Sequence, residues 1–138
     1  MWGNQIKPDI RMKTLIKIEE AAQFALTVIL FAKLPFAWWL YPALLLLPDL
    51  SMIGYAINTK TGAFTYNLVH HKAFAIVIGI AGLFLINNHL LLSGIVLFGH
   101  SSMDRVLGYG LKYATGFKLT HLGEMGARQK PEQALTVD

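Results

Sequence analysis

Five side chains able to bind a metal or move a proton, Asp49, His70, His100, Asp104 and His121, lie in or beside long apolar stretches of this chain. Carboxylate and imidazole are costly to hold in hydrocarbon, and chains that keep them there use them for chemistry or transport. His100 and Asp104 stand four residues apart and Asn67 and His70 three apart, so each pair shares one face of a helix. A His–carboxylate pair on one helix, joined by a second His and a second carboxylate from neighbouring helices, is how helical bundles build metal sites. Nitrogen and oxygen donors without thiolate suit zinc, iron or manganese, with remaining positions open to water. Two aspartates in a poorly solvated bundle repel each other unless a cation compensates them; Arg105 and Lys112 are the non-metal alternative. The expected ligands are therefore Asp49, His70, His100, Asp104 and His121, with Asp49, Asp104 and Arg105 carrying the chemistry.

A second feature is the stretch from Asp104 to Lys112, in which Gly108 and Gly110 allow close backbone approach. Arg105, with Lys112, is suited to a phosphate or carboxylate group. Asn67, Arg105, Tyr109 and Lys112 are accordingly the expected substrate contacts. Plainer roles compete with each of these. Asp49 after Pro48 also suits a helix cap, and His100 with Asp104 also suits an ordinary interhelical hydrogen bond. Either Glu19 or Glu20 could point inward, but a carboxylate early in a helix is equally what the helix dipole favours. His71, beside Lys72, is assigned to the headgroup layer and His89 to an outer loop.

Four apolar segments must position these groups: about Leu15–Leu34, Phe36–Tyr55, Phe64–Ile86 and Leu90–Leu107. Each approaches the roughly 20 residues a helix needs to cross about 30 Å of hydrocarbon. Helices are the expected form, because the backbone of an isolated strand would go unpaired in lipid. Composition agrees: of 138 residues, 54% are hydrophobic and 14% charged, and mean hydropathy is +0.47. Phe36, Trp38, Trp39 and Tyr41 after Pro35 form an interfacial aromatic group. Asn58–Gly62 reads as a polar turn, and Asn87-Asn88 breaks the last pair.

Lys7, Arg11, Lys13, Lys17 and Lys60, and the basic residues from Arg105 to Lys130, mark one side as cytoplasmic, whereas the other loops hold only Lys33. The expected architecture is all-α, a four-helix transmembrane bundle with both termini cytoplasmic. Residues 1–14 form an N-terminal arm, 15–123 the membrane domain and 124–138 a flexible tail. This topology brings Asp49, His70, His100 and Asp104 to one layer just inside the cytoplasmic face, and His121 joins them if the tail folds back.

The motifs support a resemblance. The chain resembles an uncharacterised family of small bacterial four-helix integral membrane proteins, known only as a domain of unknown function. The likeness rests on Pro48-Asp49-Leu50-Ser51-Met52-Ile53-Gly54-Tyr55, then Gly62, Tyr66-Asn67 and His70. It continues through Gly99-His100-Ser101-Ser102-Met103-Asp104-Arg105, Gly108-Tyr109-Gly110-Leu111-Lys112, Gly116-Phe117 and Thr120-His121-Leu122-Gly123. It covers about Leu15 to Gly123. It implies a multi-pass protein of the bacterial inner membrane and supplies no activity or cofactor.

Three functions are expected to compete. The first is a metal-dependent hydrolase acting on a lipid or other apolar substrate, its cofactor a divalent transition metal. The second is a metal-free acid–base isomerase or cyclase using Asp49 and Asp104. The third is a proton-coupled carrier or a structural membrane partner. With no cysteine, thiolate chemistry and disulfides are excluded. Ser51, Ser101 and Ser102 lack a nucleophile-elbow context, and no phosphate-binding or dinucleotide loop is present. A haem between His70 and His100 is conceivable, but the neighbouring carboxylates favour a non-haem ion. The net charge of +4 lies at chain ends and one loop, which suits membrane lipids as partners rather than nucleic acid. A homo-oligomer remains open.

Overall fold

The computed structural model describes residues 9–115 and 118–124. The fold is helical. Its elements are α1 (Ile10–Phe31), α2 (Leu40–Leu45), a 3₁₀ helix (Leu47–Ala56), α3 (Thr59–Val69), α4 (Lys72–Phe84) and α5 (Asn88–Leu107). The strands among the described residues are β1 (Leu119–Thr120) and β2 (Gly123–Glu124), a small antiparallel hairpin. Residues 1–8, Gly116, Phe117 and most of the expected 124–138 tail lie outside the described residues.

Side-chain caps set the helix starts. Asp9 accepts from the Arg11 N–H at 3.3 Å, so α1 begins at Ile10, inside the stretch expected to be an arm. Asn58 accepts from the Thr61 N–H at 2.8 Å, which makes Thr59–Gly62 the first turn of α3 instead of a loop. Asn87 caps α5 through the His89 and Leu90 N–H groups, so His89 sits in the first turn of a helix. Such caps satisfy donors that otherwise have no intrahelical partner. Gly108, at φ +93°, ends α5, and the Tyr109 N–H returns to the Asp104 carbonyl at 2.8 Å.

α5 is the central element, with α4 and α1 packed along it and α3 packed against the 3₁₀ helix. Two of the four expected spans are broken. The second stops at Leu45 and resumes as a 3₁₀ helix, because Pro48 has no N–H to donate upstream. The third is bent by 47° between α3 and α4. There His71 Nδ1 accepts from the Ala73 N–H at 3.2 Å, and the Ser101 hydroxyl donates to the His70 carbonyl at 2.9 Å. Side chains thus serve backbone groups that a continuous helix would have paired internally. Among the described residues, by length and composition, α5 alone could cross a membrane, or α5 and the bent α3–α4 pair if that pair counts as one span.

Candidate metal centre

Each break delivers a ligand. Asp49 is the residue after Pro48, at the start of the 3₁₀ helix, and His70 is the residue that ends α3. His100 and Asp104 come from successive turns of α5. Donor atoms of these four lie within 4.8 Å of one another. His70 Nε2 is 3.5 Å from Asp49 Oδ1 and 3.6 Å from Asp104 Oδ2. His100 Nε2 is 3.3 Å and 3.4 Å from the same two oxygens, and the two Nε2 atoms are 2.9 Å apart. Four donors about 2.05 Å from one zinc-sized ion at tetrahedral angles would be roughly 3.3 Å from each other. The four His–Asp distances cluster around that edge.

The outer contacts fix which atoms face inward. His70 Nδ1 lies 2.8 Å from the Tyr66 carbonyl, and His100 Nδ1 lies 2.6 Å from the Leu45 carbonyl. A carbonyl only accepts, so each Nδ1 carries a proton, and in the neutral imidazole each Nε2 presents a lone pair. The Leu45 carbonyl lies three residues before Pro48, and the proline's missing N–H leaves it open to His100. The Tyr66 hydroxyl donates to Asp104 Oδ2 at 3.2 Å, and its ring stacks on His70 at 3.7 Å between centroids. Carbonyl-bonded imidazoles and a hydrogen-bonded carboxylate are the supports that metal ligands normally carry. Two nitrogen lone pairs and two carboxylate oxygens therefore converge where a cation would relieve their repulsion. The cluster fits a divalent ion.

Access is from the Asp49 side. The His100 side chain is fully buried and that of Asp104 is 13% exposed, whereas that of Asp49 is 42% exposed. An apolar groove of about 490 Å³ runs along α5 beside Pro48 and Val69. Towards the other end of α5, Arg105 lines a narrow cleft with Tyr66, Asp104, Tyr109 and Gly110.

The remaining expected residues fall elsewhere. His121 stays apart from the four: its Nδ1 accepts from the Leu111 N–H at 2.7 Å, and its ring packs where a Cβ on Gly110 would lie. Its ring is held against the 110–111 backbone and is not among the donors that converge on the centre. Asn67 clamps the backbone of Lys112, donating to its carbonyl and accepting from its N–H, each at 2.7 Å. Its amide thus pairs with the chain itself, in the manner of a strand partner. Lys112 Nζ sits 4.6 Å from the Tyr66 ring centre. Of the two glutamates, Glu20 is the buried one, and it pairs with Lys72, whose ammonium also donates to Gln23 Oε1 at 2.6 Å. Sequence reasoning missed Lys72, although a lysine at a helix start is a candidate partner for the Glu19–Glu20 pair of α1. It also missed Tyr66 and Leu45, whose contributions depend on where the helices break.

A family profile for a domain of unknown function, DUF4260, matches residues 13–125. The chain belongs to this family. The match spans all four clustered residues and the segment from Arg105 to Lys112. No curated protein matches the chain, and neither does any solved structure.

Proposed function

We propose that this member of the DUF4260 family is a multi-pass protein of the bacterial cytoplasmic membrane, with both termini cytoplasmic. We further propose that it is a metal-dependent hydrolase of lipid-like substrates, with Asp49, His70, His100 and Asp104 as ligands. The observation that carries this reading is the donor arrangement: both Nδ1–H groups are committed to carbonyls, leaving four lone-pair atoms facing one another. Support for the membrane comes from apolar side chains turned outward around the helices, among them Ile18, Ile29, Ile53, Phe64, Leu83 and Phe84. Soluble monomers rarely expose apolar surface so continuously. α1, at 22 residues, also has the length of a span. Zinc, iron and manganese all suit two imidazoles and two carboxylates.

A bound divalent ion that keeps a position open to water beyond the protein donors would supply a Lewis acid and bring the pKa of that water towards about 7. Asp49, the exposed member, is placed to take up the proton that such a water gives away and to return it to the leaving group. Tyr66 holds Asp104 in place, and Arg105 is suited to an anionic group of the substrate.

Elemental analysis of the purified full chain tests this directly. The expected result is one transition-metal ion per chain, sharply reduced in Asp49→Asn. Protein lacking stoichiometric metal would overturn the assignment. That outcome would favour the second reading, which the 2.9 Å contact between the two Nε2 atoms supports. In that reading the imidazoles share one proton beside Asp49 and Asp104, and acid–base chemistry survives chelation.

A further inference from the structure

From the layout around the four ligands we infer the shape of the substrate: a single hydrocarbon chain carrying an anionic group, with the scissile bond between the two. The inference rests on the hydrolase reading above and adds where each part of the substrate lies. The apolar groove borders the ligands closely. Leu47 and Pro48 precede Asp49, Val69 precedes His70, and Val96 and Leu97 lie about one turn before His100. Its far end is at Ser93 and His89. The rise of α5 puts His89 about 16 Å from His100.

Width selects the occupant. Spread over about 16 Å, about 490 Å³ gives a cross-section of roughly 30 Å². A helix about 10 Å across needs roughly 80 Å². That width suits one extended hydrocarbon chain lying in the groove, over which a helix could only rest. Beyond His100 on the same helix the surroundings change sign and polarity. A dication would neutralise Asp49 and Asp104, leaving the guanidinium of Arg105, the residue after Asp104, as a positive charge beside the cluster. Groove, cluster and Arg105 thus follow one another along α5. In the proposed topology the groove runs from the cytoplasmic-side cluster along α5 to the outer end of that helix.

The test uses the full chain in detergent micelles with dodecyl phosphate carrying a diazirine on its terminal carbon. Photolabelled peptides are mapped by mass spectrometry, and metal content is measured on the same samples. The expected result is label concentrated on the His89–Ser93 turn. That label should be lost in Leu97→Trp, which fills the groove near the ligands, with metal content unchanged. Ser93→Trp, at an exposed position, should displace it towards Leu97, and Arg105→Gln should scatter it. A dodecyl trimethylammonium analogue should give no focus. Label spread over the outward faces of α1 and α4, around Ile29 and Val77, would mean ordinary surrounding lipid and overturn the inference. So would a focus that Leu97→Trp and Ser93→Trp both leave in place. Focused, groove-sensitive label on protein without metal would instead sink the hydrolase reading and keep the chain site. Metal-loaded protein without a focus would sink the chain site alone.

Discussion

The two halves of α5 are packed by different physics. In the N-terminal half the backbones meet directly: a Cβ on Gly94 would come within 2.6 Å of Gly79 Cα and 2.8 Å of the Ala75 carbonyl oxygen. Leu92, Ile95 and Val96 pack on Phe31 and Tyr41 with shape alone. In the C-terminal half, polar groups take over. Gly99 admits the Tyr41 hydroxyl, which bonds Thr27 Oγ1 at 2.6 Å. Ser101 serves the His70 carbonyl, and His100 and Asp104 enter the cluster. In the membrane setting proposed above, helices have no hydrophobic drive to associate, so close small-residue packing and interhelical hydrogen bonds would have to do the work. One half of the helix uses the first means and the other half the second. Only the polar half brings two broken helices to the same point.

Substitutions in the two halves should therefore fail in different ways. The largest effect is expected from His100→Ala, which should empty the metal site while leaving the helical fold in place, as read by elemental analysis beside circular dichroism. Gly94→Ala should do the opposite. Its methyl has only backbone to push against, so overpacking should cost about 1–3 kcal/mol of stability, while the molecules that fold keep their metal. Thermal unfolding in detergent measures this. If His100→Ala unfolds the chain as badly as Gly94→Ala does, the division between the two halves is wrong.

The same division explains how much was legible in the sequence. Helical class, the apolar segments and the shared face of His100 and Asp104 follow from composition and from spacing along one helix. The polar layer followed from topology, which placed Asp49, His70 and His100 at similar depth. Helix breaks were harder to read. Nothing between Phe64 and Ile86 resembles a proline or glycine interruption at His70–His71. The bend is held by Ser101, which lies 31 residues from His70, and by the ring of His71 itself. Pro48 was visible, but its consequence, an open Leu45 carbonyl that orients His100 55 residues away, exists only in three dimensions. Asn67 has a residue type suited to substrate, yet its amide pairs with Lys112. His121 has the type of a ligand, yet the turn of the chain after Gly108 assigns it to Leu111. Residue type reveals which chemistry is affordable; the breaks decide which residues perform it.

Tyr66 refines the polar half further. Tyr66→Phe keeps the ring that stacks on His70 and removes only the hydroxyl that holds Asp104. Loss of such an outer contact typically weakens metal binding by about 10–100-fold. A competition titration against a chelator should show that drop with no change in helix content. Unchanged affinity would mean that Asp104 needs no help from Tyr66, and that the tyrosine is there for packing alone.

The smallest expected effect lies past the end of α5, where His121 holds the 110–111 backbone. Partial burial first, and then the charge of Arg105, push its imidazole below the ordinary histidine range. The geometry agrees, because Nδ1 accepts from the Leu111 N–H and a proton placed there would cost that bond. When the segment detaches, the histidine returns towards its usual value of about 6.5 and binds protons more readily than in the closed form. Closure is therefore complete above about pH 6.5 and is lost as the pH falls through the lowered value. Hydrogen exchange at the Leu111 amide, corrected for intrinsic rates, should show weaker protection at about pH 5.5 than at about 7.5. His121→Gln should abolish the difference. Protection that stays constant with pH in the unmodified chain would show that Gly110 and Leu111 are held by the Asn67 clamp on Lys112. The edge of the Arg105 cleft would then belong to the rigid part of the polar half.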